Sequence, residues 1–100
     1  MKGATPEQRL LLANVDIGLA IRQFLESEVG QYLTGRALEA SEDAMDKLKV
    51  ADPEDAKLVR KLQNEIMMAD KFAQWLHDGK LSGEHAEHEL HQQEQLNNEE

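Results

Sequence analysis

The segment SGEHAEHELHQQE, residues 82–94, brings His85, His88 and His91 together with Glu84, Glu87, Glu89 and Glu94. Imidazoles and carboxylates are the ligand types that hold zinc or nickel. The spacing argues against such a centre. The histidines step by three, so on a helix they drift away from a single face. The metalloprotease pattern sets two His four residues apart around a Glu, whereas HELH and HAEH both set them three apart. Glu84–His88, His85–Glu89 and Glu87–His91 do lie four apart, a spacing that supports a helix modestly. The segment reads as a solvated polar stretch, with no metal or other cofactor.

Glu39, Glu42, Asp43 and Asp46 form a second acidic group. Paired carboxylates serve acid–base chemistry or hold Mg²⁺ only within a cleft. Here they alternate with alanine and fall opposite Lys57, Arg60 and Lys61 when the chain is folded about Ala51–Asp52. That register pairs Asp46 with Lys57, Asp43 with Arg60 and Glu42 with Lys61, so the group reads as an ion-pair rail. There is no Gly-rich phosphate loop, no nucleophile elbow and no cysteine. An enzyme is not expected; a metal-dependent one would require His and carboxylates to converge in a cleft.

The elements that must position these groups are helical. Two prolines, few β-branched residues and much Ala, Leu, Glu, Gln and Lys mark an all-α chain of one domain. Thr5-Pro6-Glu7-Gln8 is a capping box that opens a helix over about 6–27. Ser27 offers a second cap and Gly30 weakens the pattern, so a helix over 28–50 either follows a corner or continues as a bend. In VADPED, Asp52 caps and Pro53 takes the first position of a helix over 53–78, which Gly79 should end as a left-handed cap. Val59, Leu62, Ile66, Ala69, Ala73 and Leu76 form its stripe. The expected domain is therefore 5–80, two or three long helices built on an antiparallel hairpin. Residues 81–100 are expected as an acidic tail, mobile or partly helical.

The net charge of −9 is concentrated in that tail, which carries six acids and no Lys or Arg. The nearly balanced body opposes direct nucleic-acid binding. No apolar run marks a signal peptide or a membrane span, so a cytoplasmic protein is expected.

Leu38 and Met45 on the second helix, with Met68, Phe72 and Trp75 on the third, lie off the hairpin stripe. They are the expected partner or self-association surface, and a homo-oligomer follows from it. Gly30, Tyr32 and Leu33, then Leu62, Gln63 and Ile66, then Trp75-Leu76 before a polar end make residues 20–90 resemble a known group. These are the short all-helical proteins of unassigned function encoded by tailed bacteriophages and prophages. The resemblance implies a phage product in a bacterial cytoplasm, with no active residues to carry over. The favoured role is a non-enzymatic interaction module, such as an accessory or assembly factor. Its first rival is an acidic inhibitor occupying a host protein's nucleic-acid site.

Overall fold

The computed structural model describes residues 3–98 as three α-helices: α1 (Pro6–Glu26), α2 (Glu28–Val50) and α3 (Ala56–Asn98), with no strand among the described residues. The fold is all-α. α1 opens on a reciprocal capping box: the Gln8 backbone N–H donates to Thr5 Oγ1 at 3.0 Å, and the Thr5 N–H donates to Gln8 Oε1 at 3.1 Å. Two of the orphan donors that every helix start leaves are thereby satisfied.

Ser27 resolves the ambiguity between corner and bend. Its backbone is extended, at φ −75° and ψ 158°, and its Oγ accepts from the Gly30 N–H at 2.9 Å. α1 and α2 are separate helices with one capping residue between them. The Asp52–Pro53 expectation needs correction by three residues. Pro53 sits in a turn closed by the Asp55 N–H on the Asp52 carbonyl at 3.0 Å, and Asp52 Oδ1 accepts from Glu54 N–H at 2.9 Å. The cap is Asp55, whose Oδ1 accepts from the Leu58 N–H at 3.2 Å. A turn and a first helical position both suit proline's fixed φ, which is why the sequence alone favours neither.

The larger correction concerns Gly79. No described glycine has positive φ, and α3 runs through Gly79 for 43 residues to Asn98. Residues 81–98 are the second half of a helix, and several of them are packed. Along α3 the buried or half-buried positions are Val59, Leu62, Ile66, Ala69, Phe72 and Leu76, continuing through Gly79, Gly83, Ala86, Leu90 and Gln93, with Glu65 and Lys80 beside them. Steps of three and four never lapse, so one stripe runs almost the whole length.

Contacts divide the chain into two compact units. In the first, α1 up to Phe24 packs on α3 from Leu76 onward. Gly18 and Gly83 meet backbone to backbone: a Cβ on Gly83 would stand 2.7 Å from the Gly18 Cα and 3.0 Å from the Asn14 carbonyl oxygen. Gly79 faces Ile17 and Ile21. The Gln8 side-chain amide donates to Gln93 Oε1 at 3.4 Å, and Arg22 lies 3.7 Å from Glu84. Low numbers on α1 thus meet high numbers on α3, so the two run antiparallel. The second unit, Leu25–Trp75, holds α2 and the start of α3, with Ser41, Ala44 and Leu62 as its buried side chains.

Two outcomes follow. Gly83→Ala forces a methyl into backbone that has nowhere to move, an overpacking cost of about 1–3 kcal/mol that outweighs alanine's higher helix propensity. Gly79→Ala meets the flexible end of Ile21, with Ile17 at ordinary contact distance, and Gly35→Ala meets nothing within 4 Å, so Gly35→Ala stabilises by about 0.5–1 kcal/mol. Thermal melts should rank Gly35→Ala above wild type and Gly83→Ala lowest. Deleting residues 82–100 removes Gly83, Ala86 and Leu90 from under α1, and should lower the melting temperature by several degrees. An unchanged midpoint would return the segment to the status of a free tail.

Candidate interaction surface

The structure disperses the polar groups that could do chemistry. His85, His88 and His91 are all exposed on α3. Among the described residues no three His, Asp or Glu converge closely enough to hold a metal ion. Glu84 reaches Arg22, and His91 Nε2 lies 3.4 Å from the Gln95 side-chain nitrogen.

Glu39, Glu42, Asp43 and Asp46 are exposed along α2. The expected rail does not form: Asp46 pairs within its own helix with Lys49 at 3.8 Å. Among the described residues no ion pair joins Asp46 to Lys57, Asp43 to Arg60 or Glu42 to Lys61. The connection explains this. The connection occupies 51–55 and α3 begins only at Ala56, which shifts the register that a fold about Ala51–Asp52 requires. Lys57, Arg60 and Lys61 are left exposed along one side of α3, lining a groove of about 440 Å³ with Ala56, Asn64, Glu65 and Met68.

The five apolar residues singled out from the sequence are all in the second unit. Leu38 is 60% exposed, Met45 42%, Met68 73% and Trp75 68%. Phe72 is half-buried, and with Leu38 it lines a groove of about 130 Å³ between Thr34–Ser41 on α2 and Ala69–Ala73 on α3. Met68 belongs to the basic groove instead. Leu38 and Phe72 are therefore brought together, while Met68 borders a different surface.

Sequence reasoning missed a further groove in the first unit. Val15, Leu19 and Leu90 form an apolar floor, and Glu87, His91 and Glu94 form its rim, enclosing about 280 Å³. The signal was present: the three-and-four stripe continues past Gly79 to Gly83, Ala86 and Leu90. A glycine taken as a stop concealed it.

No family model, curated protein or solved structure matches the chain. No helix among the described residues is long and apolar enough to cross a membrane.

The missing rail has a measurable consequence. Reversing Asp43 to Lys and Arg60 to Glu, singly and together, should give a coupling energy within about 0.3–0.5 kcal/mol of zero, as for independent sites. A larger favourable coupling in a monomeric sample would restore the pair.

Proposed function

We propose that the chain is a non-enzymatic helical interaction module that works through helix packing and self-associates. Its working core in this reading is an antiparallel hairpin of α2 and the first half of α3. The observation that carries the reading is the distribution of apolar surface. Among the described residues the buried apolar ones are Ala44, Leu62 and Ala86, and no large side chain is fully buried. Leu10, Ile17, Val29, Tyr32, Leu38 and Met68 are each more than half exposed, as is Trp75.

Covering apolar surface is favourable by about 25 cal/mol per Å², so a partner helix has a driving force on offer.

An accessory or assembly factor of a bacteriophage, in a bacterial cytoplasm, is the setting we infer from the resemblance of residues 20–90. The acidic-inhibitor reading is less favoured. The carboxylates of α2 share their unit with exposed Lys57, Arg60, Lys61 and Lys71, so that unit carries no uniform acidic face.

Light scattering after size exclusion at micromolar concentration tests the reading. The expected mass is a multiple of 11.3 kDa, falling towards a single chain on dilution. A constant single-chain mass overturns self-association.

A further inference from the structure

We propose that the occupant of the acid-rimmed groove in the first unit is a second copy of this chain, docking through the basic strip at the start of its α3. The inference rests on the self-association reading above and deepens it by naming both contacting surfaces.

The groove has the make-up of a helix-docking site. Its floor is apolar, from Val15, Leu19 and Leu90, and its rim carries Glu87 and Glu94. Those two glutamates stand seven residues apart on one helix, two turns along the same side. Neither forms an ion pair among the described residues. The neighbouring carboxylate of Glu84, by contrast, is engaged by Arg22 at 3.7 Å.

The strip has the matching character. Lys57, Arg60 and Lys61 are exposed on the first turns of α3, and Asn64, the half-buried Glu65 and Met68 continue the same surface, which is basic by three cations to one carboxylate. None of the three cations forms an ion pair among the described residues. No acid of α2 pairs with them among the described residues, so these charges are open to another molecule. Met68, 73% exposed, supplies an unbranched apolar side chain suited to an irregular apolar floor.

Charge complementarity identifies the partner. An acidic rim above an apolar floor selects a segment that is basic with an apolar edge, and this chain carries one. Residues 81–100 hold six acids without a base, whereas residues 56–68 hold three bases and one acid, Glu65. A second copy is therefore recognised by opposite charge, and rim pairs of this kind set register and partner choice more than raw affinity.

A charge-swap experiment on the full chain tests this. One variant carries Lys57→Glu and Lys61→Glu; the other carries Glu87→Lys and Glu94→Lys. All four positions are exposed, and circular dichroism checks that each variant keeps the wild-type helix content. Each variant alone should self-associate about tenfold or more weakly than wild type, by light scattering over a concentration series. An equimolar mixture should regain association, because each variant then offers the other an oppositely charged surface. Wild-type association should weaken as salt rises towards 1 M, where the screening length falls to about 3 Å. Variants that associate as wild type does, or a mixture that fails to recover, overturn the proposed contact while leaving self-association intact. A wild-type chain that stays monomeric overturns both.

Discussion

α3 is 43 residues long; its residues up to Trp75 belong to one compact unit and those from Leu76 onward to the other. What lets the other helices approach it is the smallness of the residues at the seam. At Gly18 and Gly83 there is no side chain between the two backbones, and Ala86 is almost fully buried one turn further on. Ser41 and Ala44 play the same part on α2. Close approach raises the number of van der Waals contacts per residue, which compensates for the lack of bulky side chains to bury. The same closeness makes the seam intolerant: a methyl at either glycine has only backbone to meet.

The construction limits how much can be covered. In each unit two helices are pressed together, and a helix with one neighbour hides one stripe of its surface. The remaining apolar positions have nothing over them within the unit. α1 shows the result plainly, since Gly18 is its buried residue while Leu10, Leu12, Ile17 and Leu19 are all exposed. A chain built this way has packing capacity in reserve, and the proposed module draws on that reserve.

Charge is laid out along the same helix in blocks. Lys57, Arg60 and Lys61 open α3, whereas Glu84, Glu87, Glu89 and Glu94 lie along its later turns. Segregated charge of this sort contributes little to the stability of a single exposed helix, where each pair is worth about 0–1 kcal/mol. Between molecules it acts as an address, favouring one alignment and disfavouring like-on-like contact.

Local signals were legible in the sequence wherever one residue and its near neighbours decide the outcome. Thr5 and Gln8 had to form their capping box, because both partners lie within one turn. The end of α2 at Val50 was legible for the same reason, and so was the all-helical class. Whether Ser27 ended one helix or merely bent it depended on its backbone angles, which packing selects. Pro53 was misplaced by a turn because two different structures want the same φ. Gly79 was the decisive case. In isolation it weakens a helix, and a stop there is the reasonable expectation. The tertiary structure carries the helix through it because Ile17 and Ile21 of α1 need that space, and their packing outweighs the local preference. Only the partner helix could decide whether this glycine ends a helix or admits a neighbour.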